Sequence, residues 1–296
     1  MTFWLIVNGF VRSPAVEEMC NAFSTAAKKR GDDLRICKNS DFTFILPDDL
    51  QTPADDKPGA VLFWDKDLHL ARALEARGLT LYNSRRAIQH CDDKLLTHFA
   101  LAKAGLPQPR TIPAPLIFTR STVDTADFIT RAGQTLGWPM VVKEVYGSFG
   151  RQVTLCHSAE ETLAVFRAGN GVPMLFQQFI AAAAGRDTRL YVVGGRVIAA
   201  MQRENMRGDF RSNIAHGGTG RAVIPAENQT ALALAAARAL GLDFCGVDLL
   251  ADEAGKDLIC EINSNAYFTG LAACTGADVA EEILHDIANR QKGTTS

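Results

Sequence analysis

The chain has 296 residues, 47% hydrophobic and 22% charged, which is ordinary globular usage and excludes a collagen, a disulfide miniprotein and a disordered tail. Thirty-one lysines and arginines against 33 aspartates and glutamates leave a net charge of −2, which argues against a nucleic-acid or membrane partner. The length exceeds what one hydrophobic core usually serves, so two or three small domains are expected.

Thr2 to Asn8 reads as a buried strand broken at Gly9, followed by an amphipathic helix over Pro14 to Arg30. A second apolar strand, Ala60 to Trp64, precedes a helix over Lys66 to Arg77 and a short strand from Leu79 to Tyr82. Strands alternating with helices make this first unit, residues 1–87, a small parallel α/β domain. Asp92 then opens a helix to Ala104, ended by Gly105 and sealed by Pro107 and Pro109.

The next unit, residues 88–180, carries a helix over Thr125 to Leu136 and a strand from Pro139 to Val145. A glycine turn, a strand from Gln152 to His157, a helix from Glu160 to Arg167 and a strand from Met174 to Ile180 complete it as α+β. The last unit, 181–296, is also α+β. It begins with a strand pair, Arg189 to Val193 and Arg196 to Gln202, and a glycine-rich loop near 217–220. An alanine-rich helix from Pro225 to Ala239, a hairpin over 244–263 and a final helix from Ala277 to Arg290 follow.

The longest apolar runs, Phe3 to Val7 and Ala231 to Ala237, are far shorter than the ~20 residues that span a bilayer. The amino terminus lacks the basic flank and long apolar stretch of a signal peptide, so a cytoplasmic location is expected. Seven scattered cysteines without a Cys-x-x-Cys pair fit a reducing compartment better than a disulfide or zinc framework.

The hairpin is the most informative local feature, because its apolar strands are interrupted by acids. If its turn is Glu253-Ala-Gly-Lys256, Asp248 lies directly opposite Glu261, and Asn263 shares a face with Glu261. Opposed carboxylates repel unless something neutralises them, and two carboxylates with an amide oxygen suit magnesium. A solvated sheet face is the alternative. Between Arg186 and Arg221 there are seven arginines, no lysine and three acids, a pattern that fits an anionic ligand or a solvated charged loop. Val141-Val-Lys143 runs into the turn Tyr146-Gly-Ser-Phe-Gly150, whose amides could cover phosphates with Lys143 reaching inward; a common hairpin with a solvated lysine is the alternative. Walker, dinucleotide, nucleophile-elbow and zincin motifs are all missing.

In order, these pieces resemble the ATP-grasp superfamily, and within it the RimK-type branch of amino-acid ligases. The likeness is carried by Asp93-Lys94, Pro139-Met-Val-Val-Lys143 with Gly147 to Gly150, and Phe176-Gln-Gln-Phe-Ile180. Gly185-Arg-Asp-Thr-Arg189, Gly208-Asp-Phe-Arg-Ser-Asn213, Gly217-Gly218, Cys245-Gly-Val-Asp248 and Glu261-Ile-Asn263 continue it. The resemblance implies an ATP-grasp fold: the small parallel domain and two α+β subdomains clasping ATP.

It also implies roles. Lys94 and Lys143 would meet the ATP phosphates under the loop of Gly147, Ser148 and Gly150. Gln178, Phe179 and Ile180 would contact adenine, and Asp187 would stand by the ribose. Arg211, Ser212 and Asn213 would run along the phosphates, with Arg211, Arg189 and Arg203 acting on the acyl phosphate or the substrate carboxylate. Asp248, Glu261 and Asn263 would hold Mg2+, with Mn2+ as an alternative ion. Replacing Asp248 or Glu261 by its amide is expected to stop turnover and leave the fold intact.

The implied activity is ADP-forming ligation of an amino acid, L-glutamate by resemblance, to a carboxylate acceptor such as a protein or peptide C-terminus or a small molecule. Another amino acid in a biosynthetic pathway, or a nucleotide-binding module that does not ligate, are the alternatives. The branch often forms homo-oligomers. Two departures from its pattern stand out: Gln177-Gln178 in the hinge, and Ser264-Asn-Ala-Tyr-Phe268 after the metal strand, where substrate selection is expected.

Overall fold

The computed structural model describes residues 1–46, 49–52, 57–117, 125–148, 150–205, 207–212 and 218–294. The amino-terminal sheet is parallel throughout, with spatial order β2-β1-β5-β6: β1 Thr2–Val7, β2 Asp33–Lys38, β5 Ala60–Trp64 and β6 Leu81–Tyr82. A separate small hairpin pairs β3 Thr43–Ile45 with β4 Asp49–Gln51. Helix α1, Pro14–Arg30, starts where Ser13 accepts from the Val16 amide and stops at Gly31, whose φ of +72° suits a residue without a Cβ. Helix α2 is Leu68–Ala76.

The sequence reading opens a single helix at Asp92 and assigns nothing to residues 85–91, whereas the chain forms two helices there, α3 Arg85–Asp92 and α4 Lys94–Lys103. Asp93 separates them with ψ of 103°, and its carboxylate accepts from the amides of Leu95 and Leu96. A short polar side chain competing for backbone donors thus breaks the helix and sets Lys94 at the first turn of α4. The charged run Arg85–Asp92 hides its three buried residues, Ala87, Ile88 and Cys91, from a periodicity reading.

An antiparallel sheet, β7-β10-β8-β9, comes next: β7 Thr111–Pro113, β8 Met140–Glu144, β9 Val153–Cys156 and β10 Met174–Gln178. It is backed by α5 Ala126–Leu136 and α6 Ala159–Ala168 around Phe176, Phe166 and Ile129. The third sheet is antiparallel in the order β13-β12-β11-β14-β15. Its strands are β11 Arg186–Val193, β12 Arg196–Glu204, β13 Thr219–Ala222, β14 Phe244–Ala251 and β15 Asp257–Asn263. Helices α7 Glu227–Leu240, α8 Thr269–Thr275 and α9 Val279–Thr294 complete the described chain.

One face of the third sheet, with Leu190, Val192, Val247 and Ile262, packs under α7. Part of the other face, Tyr191, Val193, Met201 and Phe244, joins the first sheet in a single apolar cluster with Trp64, Phe23 and Phe268. Trp64 stacks on Phe244 at 5.2 Å between centroids. Burial of these large rings fixes the first sheet against the third, and the remainder of that face stays open for chemistry.

Asn83, fully buried after β6, ties the same junction by hydrogen bonds. Its Nδ2 donates to the backbone oxygens of Phe244 and Ser264 at 2.9 and 3.0 Å, and its Oδ1 accepts from the amides of Asp243 and Phe244 at 2.7 and 3.3 Å. Asn83→Ala strands buried backbone groups and is expected to cost on the order of 3 kcal/mol in urea unfolding.

A second buried polar set fastens α4 to the second sheet: His98 Nε2 accepts from Gln177, and its Nδ1 meets Gln108 Oε1 at 2.5 Å. Burial pushes the His98 imidazole down to about 4, against the opposing pull of the Gln108 bond. Between that value and the ordinary 6.5 the unfolded chain binds a proton that the folded chain does not, so stability falls as pH drops through this window. The contribution is about 3 kcal/mol. Wild type should therefore lose more stability than His98→Gln between pH 7 and pH 4.5; equal losses would refute a buried neutral imidazole.

Candidate active site

Strand alternation puts Asp187 and Arg189 of β11, Arg203 of β12, Asp248 of β14, and Glu261 and Asn263 of β15 on one face of the third sheet. Arg189 pairs with Asp248 in the ladder, Asp248 pairs with Glu261, and Asp187 pairs with Arg203. The opposition of Asp248 and Glu261 is as the sequence spacing predicts. The turn is not: residues nearest it pair one position out of step, Leu249 with Ile259 and Ala251 with Asp257, and a bulge at Cys260 restores the phase.

The buried charges form a continuous chain. Arg189 grips Asp248 with Nε to Oδ1 and Nη2 to Oδ2, both at 2.6 Å. Arg203 Nη2 reaches the same Oδ2 at 2.9 Å, and Arg203 Nε donates to Asp187 Oδ1 at 2.7 Å. Ser212 Oγ donates to Asp187 Oδ2 at 2.6 Å. Burial alone would raise the Asp248 carboxyl, but the two guanidiniums override it and hold it at about 2. Asp187 moves the other way: burial and the charge of Asp248 raise it against the pull of Arg203 and Ser212.

Arginine therefore supplies much of the neutralisation that the opposed acids require. The expectation that Asp248→Asn leaves the fold intact needs correcting on that ground, since its charge is balanced within the protein. The carboxylate of Asp187, expected beside a ribose, is engaged by Arg203 and Ser212, so it positions these two groups.

One cavity lies between the second and third sheets. Lys94, Lys143, Gly147, Ser148 and Gly150 line one side of it, and Gln178, Phe179 and Ile180 another. Asp187, Arg203, Arg211, Ser212, Asp248 and Glu261 close it from the third sheet and its following loop. Lys94 Nζ donates to the Gly147 oxygen at 3.0 Å, while burial, opposed by Glu261, lowers its ammonium. Lys143 is buried with Nζ 3.9 Å from Cys260 Sγ. Arg211 Nη1 reaches the Gly150 oxygen at 2.8 Å and pairs with Asp209, joining the glycine turn to the far wall. Tyr146 donates to Asp93 at 3.1 Å and Lys66 to Ser148 at 3.1 Å, two further ties on that turn. Phe149 and the candidate phosphate contact Asn213 lie outside the described residues.

A second cavity adjoins the first through Ser148 and Glu261 and extends to the first sheet. Arg189 and Asn263 line this one and not the first. Asp248, Glu261 and Asn263 form an all-oxygen set, which a hard cation such as magnesium prefers. The Glu261 carboxylate makes no hydrogen bond or ion pair among the described residues, and the Asp248 carboxylate, accepting three N–H bonds, keeps about one of its four lone-pair sites. These residues fit such an ion. Among the described residues no group of three His, Cys, Asp or Glu side chains is arranged for a metal.

The sequence reading misses Gln152, Phe210 and Cys260 in the first cavity and Trp64, Asp65 and Lys66 in the second, whereas Gln177 and the segment holding Asn265 line the cavities as expected. A signal for part of this set exists. Val7-Asn8 and Trp64-Asp65 stand at the carboxyl ends of β1 and β5, where parallel sheets put their ligands.

A family model described as a RimK-like ATP-grasp domain matches residues 91–287. A probable alpha-L-glutamate ligase of Parasynechococcus marenigrum is 36% identical over 223 residues, covering 75% of this chain and 46% of that protein. This chain thus spans less than half of that relative's length. One from Stenotrophomonas maltophilia (strain R551-3) is 37% identical over 223 residues, covering 75% of this chain and 73% of its own. The crystal structure of D-cycloserine synthetase DcsG superposes with a TM-score of 0.75, at 18% identity over 98% of this chain and 100% of that one.

Asp248→Asn is expected to lower unfolding free energy by on the order of 3 kcal/mol, because it leaves the buried Arg203 and the part-buried Arg189 undercompensated. Glu261→Gln should change it by less than about 0.5 kcal/mol. Urea denaturation of both variants separates them, and equal small losses would contradict the charge chain.

Proposed function

The chain belongs to the RimK-like ATP-grasp family, and on that footing we propose that it is an ATP- and magnesium-dependent ligase joining L-glutamate to a carboxylate acceptor. The observation that carries this reading is the facing of cations and oxygen donors across one cleft: Lys94 and Lys143 opposite Asp248 and Glu261, with Arg211 reaching over to the glycine turn. A nucleotide-binding module has no need of an uncommitted carboxylate such as Glu261 beside the phosphate-binding lysines.

A free carboxylate resists attack by an amine because it is anionic and lacks a leaving group. In the proposed reaction a carboxylate oxygen takes the γ-phosphoryl group and ADP departs; the amine nitrogen then attacks the acyl carbon, losing a proton, and phosphate leaves. Magnesium, when bound, neutralises charge as the phosphoryl group moves. The chain's own part is binding and shielding. Lys94 and Lys143 hold the phosphates, Arg189 at the neighbouring cavity orients the acceptor carboxylate, and Arg203 is kept in place by Asp187. The glycine turn, drawn to Arg211, Lys66 and Asp93, keeps water from an acyl phosphate that would otherwise hydrolyse.

The names of the relatives support glutamate as the added amino acid. The acceptor can be a protein C-terminus, a peptide or a small molecule. Ligation of a different amino acid on the same machinery is the second reading, favoured by the Ser264 to Phe268 segment, whose Asn265, Ala266 and Tyr267 line the second cavity.

The test is mass spectrometry of the protein incubated with magnesium, ATP, amino acids and candidate carboxylates, following ADP, phosphate and new amides. ADP, phosphate and a glutamyl amide in equal amounts are expected, and Glu261→Gln should cut the rate by about 100-fold or more. ADP without phosphate release would indicate a kinase, and full activity in Glu261→Gln would overturn the metal assignment.

A further inference from the structure

Four buried side-chain polar atoms lack a hydrogen-bond partner among the described residues, and three of them, Trp64 Nε1, Asp65 Oδ2 and Asn265 Oδ1, belong to walls of the second cavity. Such atoms are costly to leave unmade in a folded protein, and their clustering in one chamber points to a ligand that completes them. Asp65 is 6% exposed and Trp64 5% exposed. The other carboxylate oxygen of Asp65 is already used, accepting from Asn8 Nδ2 at 3.2 Å and the Lys66 amide at 2.7 Å. What remains is an acceptor on a buried carboxylate, an amide acceptor beside it, and one indole donor.

The charges of the chamber point the same way. Lys66 pairs with Asp92 and Arg189 with Asp248, which leaves Asp65 and Glu261 without an ion-pair partner among the described residues. Glu261 and Arg189 stand at the end shared with the nucleotide cavity or bordering it, and Asp65 and Trp64 at the end built by the first sheet. Burial, added to by Asp67, pushes the Asp65 carboxyl up, and a cation at Oδ2 would reverse this.

We infer that the second cavity binds a small zwitterion, its carboxylate toward Arg189 and its protonated amine on Asp65 Oδ2 and Asn265 Oδ1. Trp64 Nε1 donates to an oxygen of the same molecule. An ammonium is the group that satisfies two neighbouring acceptors and one uncompensated charge together. Asn265 Nδ2 donates to the Asp65 backbone oxygen at 3.0 Å, which ties the two acceptor residues together. An amine held by a buried carboxylate keeps its proton and is not a nucleophile, so Asp65 recognises the acceptor and does not activate the attacking amine. The acceptor carboxylate thus belongs to a free amino acid or a comparably short amino acid derivative. A protein C-terminus, whose nitrogen is acylated, lacks the matching charge. The assignment of this molecule as acceptor rests on the ligase reading; its binding does not.

The experiment is saturation-transfer NMR of the full chain with the common L-amino acids and their N-acetyl derivatives. At least one free amino acid should bind, with its N-acetyl partner at least about 10-fold weaker, one charge-assisted contact being lost. Asp65→Asn should weaken the free amino acid by about 10-fold or more, leave the N-acetyl compound unchanged, and raise the thermal midpoint of the unliganded protein by removing a buried uncompensated charge. Trp64→Phe should weaken binding without abolishing the preference for the free amine. Equal binding of free and acetylated forms, unchanged affinity in Asp65→Asn, or no binding of any free amino acid would overturn the inference. ADP release with an N-acetylated or peptidyl carboxylate would sink this subsite and leave the ligase intact; amine-selective binding without ADP under any pool would do the opposite.

Discussion

The arrangement of the site depends on a buried chain of four charges, Arg189, Asp248, Arg203 and Asp187, strung across three strands of one sheet. Each member is tolerable in the interior only because its neighbours balance it, and the whole is anchored by Ser212 at its end. Its value is geometric. Guanidinium forks gripping carboxylates admit few orientations, so the groups facing the cleft are held before any ligand arrives. The apolar cluster of Trp64, Phe244 and Phe268 complements it from the other half of the same face. Aromatic burial joins the sheets, while ion pairing sets the chemistry between them.

Much of this was legible in the residues. The strand Ala60–Trp64 and the helix Pro14–Arg30 have the bounds that apolar runs and a proline start suggest, because burial and capping act locally. The opposition of Asp248 and Glu261 followed from the hairpin alone. By contrast β2, Asp33–Lys38, escapes a pattern reading: it is an edge strand with only Cys37 buried, so charged side chains mask its pairing. The partners of Asp248 were out of reach for a different reason. Arg189 and Arg203 lie 59 and 45 positions before it in the chain, and only the folded sheet brings them together.

Asn83 and Asp65 teach the same lesson about polar residues inside. Neither has a motif around it, yet one closes four backbone hydrogen bonds and the other keeps an oxygen unpaired. The satisfied group stabilises the fold; the unsatisfied one lowers its stability at a position where a ligand can make use of it. Membership of the ATP-grasp family accounts for the frame of lysines, arginines and oxygen donors. The first sheet adds to it the Trp64 and Asp65 wall of the second cavity.

The bulge at Cys260 has a bearing on how the hairpin can change. Because the ladder slips by one position between the turn and the acids, the two ends of β15 are phased separately. Variation in the solvent-facing turn at Asp252 to Lys256 can be absorbed at the bulge before it reaches Glu261. The strand end that carries Glu261 and Asn263 is thereby insulated from insertions and deletions at the hairpin's tip, the part that drifts most readily.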